Sequence, residues 1–233
     1  MNLTDRTVEA ADRVERSAVG VGRSMASLRA RIRQSRDRRR AESAKMRLAP
    51  GSLEPLVGWS HGDGELDVAV LVYRGVSSAE VEMVGDALAA PLSATVRLVS
   101  PEPGELVAVE PARMIEAEPL AAVPRPYGLV IPGGLAWRRE VERPELIEWL
   151  QGAMAAARGV IAVSTGSLLL AAMGMLDDEP AAGHWLAGDL LAEMGARPSA
   201  ERFVHGRLLA TASGALAGVE AAERLAKEMR FSV

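Results

Sequence analysis

The sequence predicts an α/β fold, a doubly wound and mostly parallel sheet sandwiched by helices, with an N-terminal helical extension. Short apolar runs such as 67–73 and 159–163 are typical of strands buried on both faces. Segments with helical spacing, such as 144–157, alternate with those runs along the chain. The length of 233 residues suits one such domain and an appendage.

The first 47 residues differ from the remainder in charge. They carry 13 Lys and Arg against 6 Asp and Glu, a net charge of +7, whereas the remainder carries −11. Seven apolar residues recur at alternating spacings of three and four, which is the periodicity of one helical stripe. They are Ala11, Val14, Ala18, Val21, Met25, Leu28 and Ile32. This spacing predicts a helix over roughly residues 5–35, packed on its own domain or on a second subunit.

Residues 1–47 therefore form a predicted basic, amphipathic helical extension. Nine Lys and Arg residues lie within 29–47, a density that can bind nucleic acid or an anionic membrane. Neither partner is favoured, because no aromatic residues are interleaved, and a solvated helix end is the more common use of such a run. Four glycines and two prolines indicate a linker over 48–66, so the domain is expected to span 67–233.

The remaining elements follow in order from the same patterns. Residue 159 begins an uncharged stretch of 18 residues, but its polar middle favours a strand, a tight turn and a helix over a transmembrane span. Residues on either side of Gly206 are expected to form a hairpin. Strands are predicted at 67–73, 94–100, 105–109, 127–131, 159–163, 202–205 and 207–210, and helices at 78–90, 144–157, 167–174, 186–194 and 218–230.

Composition excludes several classes of function. The chain has no cysteine, which excludes disulfides, thiolate-bound metal and a cysteine nucleophile. No metal site and no cofactor are indicated. The N-terminus lacks the apolar core of a secretory signal, so a cytoplasmic location is expected.

Three predicted strand ends carry the polar residues of a candidate site. Sites in parallel sheets form beyond the carboxyl ends of strands. One end leads to Glu80, the second to Gly133 and Gly134, and the third to Ser164 and Thr165 at a strand-to-helix turn. At such a turn, called a nucleophile elbow, the apex side chain stands above the sheet and the next backbone N–H faces a developing oxyanion.

These residues resemble the ThiJ/PfpI (class I glutamine amidotransferase-like) superfamily, and the likeness extends over about 165 residues. The strand end at 127–134 is similar to its Y-D-x-x-x-x-P-G-G motif, and 161–176 resembles its nucleophile-elbow block. Ala181 to Trp185 resembles an element of isonitrile hydratases and of amidotransferase-like domains in certain transcription regulators. The resemblance implies a flavodoxin-like fold, a pocket for a small-molecule ligand or substrate, and a homodimer.

The resemblance also implies roles for individual residues. Ser164, Glu80 and His184 are the candidate catalytic residues, and the candidate oxyanion and pocket residues are Gly134, Thr165, Gly133 and Trp185. Ser164 stands where the superfamily carries its cysteine, and a hydroxyl needs a positioned base where a thiol does not. His184 can act as that base or only line the pocket. Glu80 can act on a ligand or only accept a hydrogen bond.

Two functions of different class follow. The first is a non-catalytic domain that binds a small molecule or serves as a scaffold, which the missing thiol favours. The second is an enzyme resembling isonitrile hydratases or hydrolases, in which Ser164, Glu80 and His184 act on a small polar substrate.

Overall fold

An eight-stranded sheet forms the centre of the part of the chain that the computed structural model describes, residues 66–109 and 112–231. Its strand order is β3-β4-β2-β1-β5-β6-β10-β9, and a separate pair joins β7 to β8. The strands are β1 (Asp67–Leu71), β2 (Thr95–Ser100), β3 (Gly104–Ala108), β4 (Arg113–Pro119), β5 (Gly128–Ile131), β6 (Gly159–Val163), β7 (Pro180–Ala181), β8 (Arg197–Pro198), β9 (Phe203–His205) and β10 (Leu209–Ala212).

The six inner strands of the sheet are parallel, and only the two edge strands, β3 and β9, run antiparallel to their neighbours. The central strands β5 and β6 are buried along their whole length, as expected for parallel strands covered on both faces. The carboxyl ends of β1, β5, β6 and β10 therefore meet at one edge, which we call the carboxyl edge.

Helices cover the sheet in two groups. The first group is α1 packed against α6, and both contact β1, β5, β6 or β10. In the second group, α2 packs against α3 and α4, and α5 packs against α4. The helices are α1 (Ser78–Ala89), α2 (Trp137–Val141), α3 (Pro144–Ala156), α4 (Gly166–Ala172), α5 (Gly188–Glu193) and α6 (Ala215–Phe231).

The predicted α/β fold is confirmed, with corrections to individual elements. Strand β4 and helix α2 were not predicted. In β4, glutamates alternate with the buried residues and hide the apolar pattern, and α2 has only five residues. The predicted hairpin pairs as expected, but β10 begins at Leu209 rather than 207. Helix α6 begins at Ala215, three residues earlier than the spacing predicted.

The 18-residue uncharged stretch is divided as the sequence predicted. Strand β6 ends at Val163 and α4 begins at Gly166, so the stretch is two short elements. Among the described residues no helix is both long and apolar enough to cross a membrane. The predicted extension over 1–47 and almost all of the linker over 48–66 lie outside the described residues.

Candidate functional site

The candidate site is built on the turn that joins β6 to α4. Ser164 occupies this turn with φ of 56°, a left-handed conformation that is uncommon for a non-glycine residue. Its backbone N–H donates to the carbonyl of Ala212 at 2.8 Å, and its own carbonyl accepts from the Ser167 hydroxyl at 2.8 Å. These bonds on both sides hold the strained backbone, and Ser164 remains 7% exposed.

Glu80 reaches this turn from the first turn of α1. Its Oε2 accepts a hydrogen bond of 2.6 Å from the backbone N–H of Gly133. A Cβ atom added to Gly133 would lie 2.8 Å from the Cβ of Ser164, so Gly133 is pressed against the serine. The structure thus brings Glu80 and Ser164 against the same glycine, and Glu80 is itself only 6% exposed.

Thr165 holds the second glycine of the turn after β5. Its Oγ1 accepts from the Gly134 N–H at 2.9 Å and donates to the Gly134 carbonyl at 3.1 Å. The N–H groups of Gly133 and Gly134, predicted to line an oxyanion site, therefore already donate to side chains. An oxyanion could use them only by displacing Glu80 or Thr165. The N–H groups of Thr165 and Gly166, where α4 begins, have no helical partner by geometry.

His184 approaches the Ser164 turn through its neighbour Gly183. A Cβ on Gly183 would lie 2.6 Å from the Ser167 hydroxyl oxygen and 3.3 Å from the Ser164 carbonyl oxygen, so this backbone segment packs directly on the turn. The Nδ1 atom of His184 accepts a hydrogen bond of 3.3 Å from the Leu186 N–H. In a neutral imidazole this pattern assigns the proton to Nε2. In this tautomer Nε2 is the hydrogen-bond donor of the His184 ring.

Trp185 follows His184 at the surface. The two rings lie 5.7 Å apart between centroids, at an interplanar angle of 35°. Trp185 is 81% exposed, the largest value among the apolar side chains described. The predicted pocket aromatic is thus placed at the outer rim of the carboxyl edge and not at its floor.

Sequence reasoning missed Tyr73, which lies beneath the glycine turn. Its hydroxyl donates to the carbonyl of Pro132 at 3.0 Å. Burial, and then the charges of Glu80 and Glu140, raise the pKa of Tyr73 well above its ordinary value. The tyrosine therefore stays a neutral donor that fixes the residue before Gly133. Its position two residues after β1 is a signal that could have identified it.

Glu140, also missed, is a buried carboxyl group in α2 that is 1% exposed. The Arg143 Nε lies 3.0 Å from its Oε2 but without hydrogen-bonding alignment. Burial raises the pKa of Glu140, and the charges of Arg143 and Arg139 partly offset that effect. Nothing in the sequence distinguishes Glu140 from a surface acid, since it follows two arginines.

The arginines near Glu140 already interact with other side chains. Arg139 and Arg143 both form ion pairs with Glu102, and the hydrogen bond from Arg143 lowers the pKa of Glu102. The guanidinium of Arg138 lies over the Trp137 ring, 4.9 Å from its centroid. Across 66–109 and 112–231 no group of three His, Asp or Glu residues is arranged to hold a metal ion.

Comparisons with known proteins agree with this architecture. The model of the DJ-1/PfpI family matches residues 67–228. An isonitrile hydratase of Pseudomonas putida is 37% identical over 101 residues, which are 43% of this chain and 44% of that protein. The chain therefore matches less than half the length of this curated relative.

Solved structures of the same superfamily share the fold. A ThiJ/PfpI family protein from Pseudomonas syringae has a TM-score of 0.62 at 23% identity, covering 77% of this chain and 82% of that one. Drosophila melanogaster DJ-1beta has a TM-score of 0.63 at 17% identity, covering 71% and 91%. At these identities the likeness shows the mostly parallel sheet flanked by helices.

Proposed function

The chain belongs to the DJ-1/PfpI family, and on that basis we propose that its family domain is a small-molecule-binding domain without catalytic thiol chemistry. Ser164 stands at the elbow where the resemblance places a cysteine. A serine hydroxyl has a much higher pKa than a thiol, so it becomes a nucleophile only beside a base that takes its proton.

The orientation of His184 carries this proposal. A base for Ser164 needs an imidazole nitrogen with a free lone pair, and its other nitrogen must donate to a fixed acceptor. His184 has the reverse arrangement: Nδ1 accepts from the Leu186 N–H, and in a neutral imidazole the proton is then assigned to Nε2. It is suited to donate a hydrogen bond to a bound ligand. Glu80, whose Oε2 already accepts from Gly133, is a weak base for an alcohol.

The alternative is an enzyme resembling isonitrile hydratases or hydrolases, in which Ser164 acts with Glu80 and His184. Two observations favour it: the left-handed backbone of Ser164 and the 37% identity to an isonitrile hydratase. Strain of this kind costs about 1–3 kcal/mol and is concentrated at functional sites. In this alternative His184 must first turn so that an unprotonated nitrogen faces the Ser164 hydroxyl.

Turnover of a small alkyl isonitrile separates the two functions. Hydration adds one water and yields the N-alkyl formamide. We expect the wild-type protein to produce no formamide above the rate without protein. Conversion that is lost in both Ser164→Ala and His184→Ala would replace binding by the enzyme alternative. Folding of each variant is checked by circular dichroism.

A Ser164→Cys variant tests whether the site is accessible. If the rest of the site is intact, a thiol at the elbow, near Glu80, is expected to react with a maleimide in the folded protein. The chain has no other cysteine, so the labelling reports this position alone. A folded variant that resists the reagent would show a closed site and contradict both functions.

The resemblance further supports a homodimer, which sedimentation of the full chain tests, and a cytoplasmic location, which fractionation of cells tests. The basic residues 29–47 are assigned no role in binding nucleic acid or membranes. Salt-dependent binding of either, abolished by deleting residues 1–60, would overturn that assignment.

A further inference from the structure

The four most exposed large apolar side chains of the described residues all lie at the carboxyl edge. They are Trp185, Leu135, Leu216 and Leu186, with exposures of 81%, 74%, 67% and 64%. We call them the apolar rim. They come from three separate segments: Leu135 follows β5, Trp185 and Leu186 follow β7, and Leu216 is the second residue of α6, which follows β10.

In each of these segments, a residue close in sequence to the rim residue contacts the Ser164 turn. Leu135 follows Gly134, whose backbone N–H donates a hydrogen bond to the Thr165 hydroxyl. Trp185 lies two residues after Gly183, which packs on the Ser164 carbonyl. Leu216 lies four residues after Ala212, whose carbonyl accepts from the Ser164 N–H. The apolar rim is therefore tied to the candidate site and is not an unrelated surface.

Beneath the apolar rim the site is polar and carries the carboxyl groups of Glu80 and Glu140, and we call this part the floor. Glu80 is buried beside Ser164, and Glu140 is close enough that both acids raise the pKa of Tyr73. Arg139 and Arg143 are paired with Glu102. The buried carboxyl groups disfavour an anionic ligand at this position, because its charge would lie close to the Glu80 carboxyl that accepts from Gly133.

Resting on the proposed binding function, we propose that the site takes amphiphilic small molecules, with a small uncharged polar head at Ser164 and an apolar body against the rim. The head exchanges hydrogen bonds with the Ser164 hydroxyl and the Nε2–H of His184. The body covers Trp185, Leu186, Leu135 and Leu216 and removes apolar surface from water. The rim is thus assigned the role of selecting ligands by apolar length.

A homologous series of primary amides tests the assignment. Acetamide, butanamide and hexanamide share one head and differ by two methylenes per step. At about 0.8 kcal/mol for each buried methylene, the dissociation constant should fall about tenfold per step. Calorimetry on the full chain at pH 7 measures the constants, with hexanoate as the anionic counterpart of hexanamide. Hexanoate should bind at least about tenfold more weakly than hexanamide.

Variants at the rim and floor separate failure of this inference from failure of the proposed function. Trp185→Ala should weaken hexanamide about tenfold and leave acetamide unchanged. The matched control Met114→Ala, another exposed apolar side chain on the β3–β4 hairpin, should change neither. Ser164→Ala should weaken all three amides. If no amide binds, or Ser164→Ala changes none of them, the proposed binding function fails.

Other outcomes overturn the rim assignment alone. One is equal affinity for acetamide and hexanamide while Ser164→Ala still weakens both. A second is tighter binding of hexanoate that is lost in Arg74→Ala, which would assign the head to the exposed Arg74 of the loop after β1. A third is a wild-type dimer that becomes monomeric in Trp185→Ala, which would assign the rim to a second copy of the chain.

Discussion

Glu80 and Glu140 are buried carboxyl groups in two regions whose charges both raise the pKa of Tyr73, yet they are stabilised in different ways. Glu80 accepts from the backbone N–H of Gly133, a donor fixed by the turn after β5. Glu140 depends on the side chain of Arg143, which is shared with Glu102. A backbone donor loses little entropy on bonding, whereas an arginine must be immobilised for the same purpose. The candidate site thus lies on the rigid region and the ion-pair cluster on the adjustable one.

The largest expected effect comes from disturbing the rigid region. In Gly166→Ala the new Cβ would overlap the Ile131 carbonyl oxygen and lie 2.9 Å from the Pro132 carbonyl oxygen. Backbone atoms cannot move aside by changing rotamer, so we expect a loss of about 4 kcal/mol or more in unfolding free energy. Urea unfolding measures it.

The matched control is Gly152→Ala in the exposed middle of α3, where an added Cβ meets no atom within 4 Å. Alanine favours a helix more than glycine does, so this variant should gain about 0.5–1 kcal/mol. Similar stability of the Gly166 and Gly152 variants would show that the turn is not rigid.

Arg143→Met should give the second largest effect, because it leaves Glu140 buried without its nearest guanidinium. We expect a loss of about 3 kcal/mol at pH 7. Burial already raises the pKa of Glu140, so the stability that its neutral form provides is present at low pH and lost as pH rises through the folded pKa.

The deficit of Arg143→Met should therefore shrink as pH falls from 7 towards 5, which unfolding curves at several pH values measure. The double variant Glu140→Gln with Arg143→Met removes the charge as well and should recover most of the loss. A deficit that is independent of pH, with no recovery in the double variant, would show that Arg143 acts by packing alone.

Substitutions of Glu80 should have smaller effects on stability. Glu80→Ala leaves the buried Gly133 N–H without its acceptor and should cost about 2 kcal/mol. Glu80→Gln keeps an acceptor and should cost about 1 kcal/mol, since a charge-assisted bond becomes a neutral one. Thermal and urea unfolding compare the two. Equal losses would show that the charge, and not the hydrogen bond, is what the turn requires.

The smallest expected effect on stability concerns the titratable side chain of His205. Its Nε2 atom is buried without a hydrogen bond, and the Glu228 Oε2 lies 3.8 Å away. Burial lowers the pKa of His205, with Glu228 opposing and Arg224 adding to that effect.

The unfolded chain thus binds a proton more readily, and unfolding free energy should decline as pH falls below about 6.5. His205→Gln should flatten this slope relative to the wild type, as measured by urea unfolding between pH 7.5 and 5.5. A slope that is identical in the variant would assign it to other groups.

Much of the fold could be predicted because buried parallel strands leave continuous apolar runs. Strand β6 was predicted with both ends correct, and the α/β class followed from the alternation of strands and helices. Strand β4 was missed because its outward face carries Glu116 and Glu118, which alternate with the buried Ile115 and Ala117 and mask them. A half-exposed strand near a sheet edge has a weaker signal than a central one.

The sequence by itself determined which residues follow the ends of predicted strands: Gly133, Gly134, Ser164 and Thr165 directly, and Glu80 in the helix after the first strand. Chain order and the parallel rule are enough for that placement. His184 was identified only by the family resemblance. Only the tertiary structure decided which atoms those residues engage. Glu80 accepts from the backbone N–H of Gly133, a buried donor 53 residues away in sequence, because buried backbone groups are paired once the turns are packed. His184 accepts from the N–H of Leu186, an exposed contact only two residues along the chain. Hydrogen-bond partners depend on distances of a few ångströms between segments far apart in sequence, and no local pattern encodes those distances.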